Sequence, residues 1–451
     1  MSGFDDLAAF IAGLRREAIA APLLDRLRLH VVDIIGAWIA ATATAEGRAL
    51  IAFRNAPAPA GDGKGTLADD LALHCALARL SEVDDIHLAS MTTPGSIVIP
   101  AAMTIAAALP DADDIVPAIV GGYEAMIRLG EAIDGPQVLY RGIWPTYFGA
   151  PLGVAAVAAR LLRLDEKQTA HALALALTMA APSVGQHHAA STARWLSVGN
   201  AARNGLTAAL AVRAGFTSDV NVLNSRLFPD VFGIDLDLAK LSALSAETPR
   251  FAQLSFKPWC AARQTMAATQ ALRELVDSGI AVVDITEIAA AVPPPHLKMI
   301  DHGVRAGDRA SHLTSVPYQM AVAVLQPQAQ LDVGQAPARI PAAVQALMAK
   351  IKLSGDDALL ADYPVAWPAR VTVTTASGQH ERLVRAVPGD PERPLDEADI
   401  VRKFNRLATP VIGEPGAERI LQAATATLPT QALASQIMVQ LDALCRVEKA
   451  S

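Results

Sequence analysis

The segment EVDDIHLASMTTPG, Glu82 to Gly95, gathers two adjacent carboxylates (Asp84 and Asp85), an imidazole (His87) and two threonines (Thr92 and Thr93) in an otherwise apolar chain. Neighbouring residues at a helix end cannot face the same way, so one acid can enter a cleft while the other caps or salt-bridges. An imidazole is the usual proton donor or acceptor at pH 7, and a nearby carboxylate favours its protonated form. On this reading the stretch is a pocket wall, with His87 as proton carrier and Asp84 or Asp85 orienting it. The alternative is a polar helix end followed by an N-cap at Thr93 before Pro94. His87 would then pack against a helix, and Asp85 would merely cap one.

Three further clusters carry chemistry. In SVGQHHAASTARWLSVGN, His187 and His188 adjoin in a small-residue loop, and Arg194 falls just before a helix expected to begin near Ser197. A guanidinium beside the open N–H groups of a helix start suits a carboxylate; the alternative is a solvated arginine on a surface loop. The histidine pair lacks metal-ligand spacing, so no metal is expected. In FKPWCAARQT, Lys257 and Arg263 flank a helix start and suit a substrate carboxylate, or else they are solvated helix-end charges. Cys260 between them has no base tied to it and reads as a buried structural cysteine. In DRASHLTSVPYQMA, His312 and Tyr318 sit near the start of an apolar helix, where a tyrosine is often core.

These groups must be positioned by helices. Hydrophobic residues make up 52% of the 451, aromatics only 4%, and alanine is abundant, which favours close-packed helices over sheets. Apolar residues three and four apart predict helices over 22–44, 68–82, 115–133, 150–164, 165–179 and 198–215. Several are apolar nearly all round, as central helices of a large bundle are. From about Glu247 the pattern changes: a helix over 261–278, a strand over 285–292, a helix over 312–325, then a hairpin from ARVTVTT (369–375) through ASG to ERLVRA (381–386). Helices resume after Pro394. The expected fold is mostly α: a large all-α domain from residues 1–250 and 395–451, and a smaller α+β lid over 251–394.

Composition excludes several functions. The formal net charge is −7 and no basic stripe occurs, so nucleic acid is not an expected partner. Apolar runs fall short of a bilayer span, and the acidic N-terminus MSGFDDLAAF lacks the character of a signal peptide. Three widely spaced cysteines form no disulfide framework, which suits a reducing, cytoplasmic setting. Neither a phosphate loop nor a dinucleotide fingerprint is present.

The order of the clusters resembles the MmgE/PrpD family, which includes 2-methylcitrate dehydratase, cis-aconitate decarboxylase and iminodisuccinate epimerase. The resemblance runs over essentially the whole length. It is carried by EVDDIHLASMTTPGS, against the family's acid-rich stretch and His-Pro-Gly; RWLSVGNAA from Arg194; KPWCAARQTM from Lys257; LTSVPY to Tyr318; and the closing PGDPERPLDEADIVRKFNRLA. It implies a large helical domain with a smaller lid, a homodimer, and no required cofactor. The departures fall on proton carriers: family histidines are replaced by Thr93, Trp144 and Met266, and the family lysine is Arg194. The acids, Lys257 and Tyr318 remain, while His87, His188 and His312 lie near the vacated places and suggest that the proton role has moved.

The resemblance and the charge-bearing residues together imply proton transfer next to a carboxylate. Cations hold the substrate's carboxylates and stabilise developing enolate-like charge. The expectation is a cofactor-independent lyase, a dehydratase or decarboxylase, acting on a small polycarboxylic acid. The alternatives are an isomerase or epimerase on a similar acid, and a catalytically silent member that only binds an acid or a partner protein. The expected catalytic set is His87, Asp84, Asp85, Tyr318 and His188. Lys257, Arg194, Arg263, Thr93 and His312 are expected to bind substrate.

Overall fold

The computed structural model describes residues 3–56, 65–181, 191–242 and 244–446. Helix accounts for 63% of the chain, with one small sheet, so the fold is mostly α with a minor α+β portion. The described residues form two compact units. One takes in the chain up to residue 181, with 192–254 and 396–446; the other is 255–395 with Ser191.

The first unit opens with α1 (Gly3–Gly13), α2 (Ala21–Thr42), α3 (Ala45–Arg54), α4 (Leu67–Leu80), α5 (Gly95–Ala108) and α6 (Ile115–Ala132). The short α7 (Gly135–Val138), α8 (Pro145–Leu161), α9 (Glu166–Thr178) and α10 (Ala193–Arg213) follow. Their starts are written locally. Thr66 and Asp69 form a reciprocal capping box at α4, and Asp165 with Gln168 does the same at α9. Every residue of α8 is buried, which explains a sequence apolar on all sides. It is the central helix, packed against α5, α6, α9 and α10.

The second unit contains α11 (Arg263–Asp277), β1 (Glu287–Val292), α12 (Pro294–Ile300), α13 (Arg309–Thr314), α14 (Val316–Leu325), α15 (Ala342–Met348), β2 (Ile351–Gly355), β3 (Ala369–Thr375) and β4 (Gly378–Val384). Strand order is β2-β1-β3-β4, with β1 parallel to β2 and antiparallel to β3. The hairpin closes on a two-residue turn, pairing Thr375 with Gly378, so β4 starts three residues earlier than its sequence suggests. Ile288, Ala290, Val292, Val371 and Val373 alternate into a core shared with α11 and α14. The single helix expected over 312–325 is two, broken at Ser315, whose hydroxyl accepts from the Tyr318 N–H and caps the second.

The chain then returns to the first unit with α16 (Glu397–Ala426) and α17 (Gln431–Cys445). A third capping box, Asp396 with Asp399, starts α16, which is kinked at Gly413 between Pro410 and Pro415. Its first half lies along α2, with Phe404 filling the gap that Gly36 leaves. Among the described residues, no single helix is long and apolar enough to cross a membrane.

Candidate active site

The Glu82–Gly95 stretch is a buried loop between α4 and α5. Helix α4 stops at Leu80, and the Ser81 hydroxyl donates back to the Ala78 carbonyl at 2.8 Å while accepting from the Val83 N–H at 3.3 Å. Glu82 then takes a left-handed conformation, with φ of 56°, as does Met91 at 57°. Such backbone in a residue with a side chain is held only where its surroundings over-determine it, and it concentrates at functional sites.

The two adjacent acids divide as their geometry requires. Asp85 turns into the helical core, where it is fully buried. Its carboxylate accepts from the Gly95 N–H at 2.8 Å, capping α5, and from the Tyr123 hydroxyl at 3.0 Å. It also faces His30 Nδ1 at 3.1 Å. A Cβ on Gly95 would drive into this carboxylate, so glycine is what allows the approach. Asp84 points the other way, to the Arg79 guanidinium at 3.4 Å, which also holds Glu82 at 3.1 Å. Burial opposes the Arg79 charge, but Asp84 and Glu82 outweigh it and hold its pKa above the ordinary value.

His87 departs from expectation in two ways. Its partners are not the acids. Nδ1 accepts from the Ser90 N–H at 3.2 Å and lies 3.0 Å from the Ser90 hydroxyl, while Nε2 lies 3.3 Å from the Gln253 side-chain oxygen. This network assigns the proton to Nε2. Nor does a neighbouring carboxylate make it readily protonated: burial pushes its pKa down to about 4, and Asp85 pulls it back only weakly. At neutral pH it is a neutral bridge between a loop hydroxyl and Gln253.

Opposite Arg79 the first unit assembles a second cation. Arg194 lies inside the first turn of α10, which starts at Ala193 rather than near Ser197. Its guanidinium carbon sits 5.2 Å from the Trp144 ring centre and 5.3 Å from that of Trp195, and Arg79 lies 6.0 Å from the Trp195 ring. Thr93 is tied to the start of α8: its N–H donates to the Thr146 hydroxyl at 3.0 Å, and the two hydroxyls are 3.2 Å apart. One turn into α8, Tyr147 lies beside Trp144, with ring centres 5.5 Å apart. Its hydroxyl is buried without a hydrogen-bond partner among the described residues. Burial lifts the Tyr147 pKa to about 12, while Arg79 and Arg194 pull against that rise. Two guanidiniums, two indoles, Glu82, Asp84 and an unsatisfied phenol thus share one neighbourhood.

Arg79, Glu82 and Tyr147 were not singled out from sequence. The detectable signal was WPTY directly at a helix start, where Pro145 fixes the first turn and presents Trp144 and Tyr147 together.

In the second unit, Lys257 is buried. Arg263, also buried, is paired with Asp390 at 2.6 Å and stacks 5.8 Å from the Trp367 ring. Asp390 also accepts from the Val387 N–H at 2.8 Å. The Arg263 charge is therefore matched inside the unit and is not a solvated helix-end cation. His312 donates through Nδ1 to the Asp308 carbonyl at 2.7 Å and meets the Tyr318 ring edge-on at 4.7 Å. Burial lowers the His312 pKa and raises that of Tyr318 to about 12. Met266 is core, packed with the sheet. Cys75, Cys260 and Cys445 are all buried. His187 and His188 lie outside the described residues. Among the described residues no three His, Cys, Asp or Glu side chains gather as a metal ion would need.

Comparison with known proteins bears on this arrangement. Cis-aconitate decarboxylase of Aspergillus terreus is 26% identical over 234 residues, covering 48% of this chain and 47% of that protein. The cis-aconitate decarboxylase-like protein oryM of Aspergillus oryzae is 32% identical over 145 residues, 30% of each chain. The chain thus spans about half or less of the curated relatives it matches. Residues 5–233 match the MmgE/PrpD N-terminal domain and residues 259–427 the MmgE/PrpD C-terminal domain, and with both domains present in order the chain belongs to the MmgE/PrpD family.

Proposed function

We propose that the protein is a lyase of the dehydratase or decarboxylase type, acting without a cofactor by proton transfer next to a carboxylate of a small polycarboxylic acid. The observation that carries this reading is the buried Tyr147 hydroxyl, which has no hydrogen-bond partner among the described residues and lies in the field of Arg79 and Arg194 as well as of Glu82 and Asp84. A buried O–H left unsatisfied costs roughly 1–3 kcal/mol. A substrate oxygen placed there would recover that cost and meet two cations. Membership of a family whose relatives include cis-aconitate decarboxylase supports the same substrate class.

The chemistry follows from the side chains. A guanidinium presents a planar fork of donors suited to a carboxylate, and the Trp144 and Trp195 rings beside Arg194 leave it partly dehydrated. In a decarboxylation the carbon–carbon bond to the departing carboxylate breaks, carbon dioxide leaves, and the electron pair delocalises into the neighbouring carboxylate as an enediolate. Arg194 and Arg79 stabilise that charge. The Tyr147 O–H then delivers its proton to carbon, and the phenolate is reprotonated from solvent. In a dehydration the same cations hold the acid while the α-proton and the β-hydroxyl leave together as water and a carbon–carbon double bond forms. His87, neutral and doubly hydrogen-bonded, supports the loop in this scheme.

A second reading, acid binding without turnover, draws on one observation. The imidazoles His30, His74 and His87 of the first unit are all held below their ordinary pKa, foremost by burial. The family resemblance further supports a homodimer, and three widely spaced cysteines suit a cytoplasmic setting, which light scattering and fractionation would test. The deciding experiment is a panel of di- and tricarboxylic acids, cis-aconitate and citrate among them, followed by thermal shift and by NMR for product. Turnover that disappears in Arg194→Ala supports the lyase. Binding that disappears in Arg194→Ala, with no product in the parent, supports the silent reading. Binding unaffected by Arg194→Ala would remove the site from both.

A further inference from the structure

We propose that Lys403 is a positioning residue, which reaches from α16 to lock the left-handed turn that sets Glu82 and Asp84 against Arg79. The Lys403 ammonium donates to the Val83 carbonyl at 2.8 Å and pairs with Asp33 of α2 at 2.6 Å. Val83 is the residue between the two acids that Arg79 holds. Lys403 and Asp33 are 4% and 0% exposed, so the contact is a built feature of the interior rather than a surface ion pair.

The physical case rests on three facts. First, Glu82 sits at φ of 56°, a conformation that a residue with a side chain keeps only when it is held from outside. Second, a carbonyl fixes the orientation of the peptide plane that follows it. Holding the Val83 oxygen therefore sets the direction in which Asp84 leaves the backbone. Third, an ammonium is not needed to fill this volume. A buried Lys–Asp pair is often no more stabilising than apolar groups of the same size. A pair whose lysine also holds a backbone carbonyl makes sense if the carbonyl is the target. Lys403 is 320 positions from Val83 in the chain, so the last helical segment of the first unit completes a loop encoded near its start.

The inference rests on the proposed function for the importance of Glu82 and Asp84, but its test does not depend on activity. Lys403→Met alone strands Asp33. The informative variant is therefore Lys403→Met with Asp33→Asn, which removes both charges at nearly constant volume. Hydrogen exchange followed by mass spectrometry should show peptides spanning residues 81–87 exchanging at least tenfold faster, while those from α8 and α9 keep parental rates. Cis-aconitate and citrate, where the parent binds them, should bind about tenfold more weakly. Asp33→Asn alone keeps the Val83 contact and should retain parental exchange and binding; it is also the reference if the double variant does not fold. Parental exchange at 81–87 in the double variant overturns the proposal, as does equal loss of protection in Asp33→Asn. If the parent binds neither acid, the polycarboxylate reading fails while the exchange result still decides the role of Lys403.

Discussion

Replacing His87 with glutamine should make the protein less sensitive to acid, by an amount set by the burial of the imidazole. In the unfolded chain His87 titrates at its ordinary value of about 6.5, and in the fold at about 4. Between those two values the unfolded state binds a proton that the folded state does not. Stability therefore falls as pH falls, by about 1.4 kcal/mol per unit for this one group. Above pH 6.5 both states are neutral and the group has no effect. At pH 5.0 the loss is about 2 kcal/mol, and below pH 4 it saturates at roughly 3.4 kcal/mol. Glutamine can bond to Ser90 and Gln253 but does not titrate. Urea unfolding of parent and His87→Gln at pH 7.5 and 5.0, followed by the fluorescence of Trp38, Trp144 and Trp195, isolates the effect. The stability difference between the two proteins should shift by about 2 kcal/mol in favour of the variant at pH 5.0. A constant difference across that range, or a His87 imidazole titrating near pH 6.5 by NMR, would show that the ring is solvated and available as a proton carrier.

Three other outcomes follow from the same contacts. Tyr147→Phe removes a hydroxyl with no partner among the described residues, so the unliganded protein should unfold at the same or a slightly higher temperature, while affinity for cis-aconitate or citrate should fall about tenfold. Asp85→Asn disturbs contacts to Gly95, Tyr123 and His30 together and should cost roughly 2–4 kcal/mol by denaturant titration, marking this acid as scaffold. Gly95→Ala places a methyl group against the Asp85 carboxylate and should cost about 1–3 kcal/mol, without additivity when combined with Asp85→Asn.

The architecture was legible because it rests on periodicity. Helices such as α6 and α9 were bounded within a residue or two, and β3 within none, since apolar spacing and capping residues are local properties. The fourth strand, β2, was not legible. It is a short edge strand whose five residues IKLSG alternate, with Ile351 buried and Leu353 half-buried, over too few positions to stand out from the flanking helix and loop. Helix α5 was missed for the opposite reason: twelve of its fourteen residues are buried, leaving no polar face to give a period.

The site was legible to a different depth. Sequence could say that two adjacent acids must diverge, and they do, but not which way each turns. That choice is made by side chains on other elements: Tyr123 and His30 take Asp85, Arg79 at the end of α4 takes Asp84, and Lys403 holds the carbonyl just ahead of them. Protonation is further still from sequence, because it depends on burial. A histidine two residues from a carboxylate looks activated when written as a string. In the fold that carboxylate is committed to a helix N-terminus and a phenol, and dehydration of the ring outweighs the little attraction that remains. The same reasoning raises Tyr147 in importance. The resemblance marked its turn of α8 as a place that had lost a histidine, with Trp144 in that register. The structure adds a phenol three residues on, with its hydroxyl buried near two guanidiniums and without a hydrogen-bond partner among the described residues. If proton transfer persists in this chain, the group to test first is Tyr147 rather than His87, because its hydroxyl is unpartnered among the described residues and lies beside Arg79 and Arg194, whereas both ring nitrogens of His87 are engaged by Ser90 and Gln253.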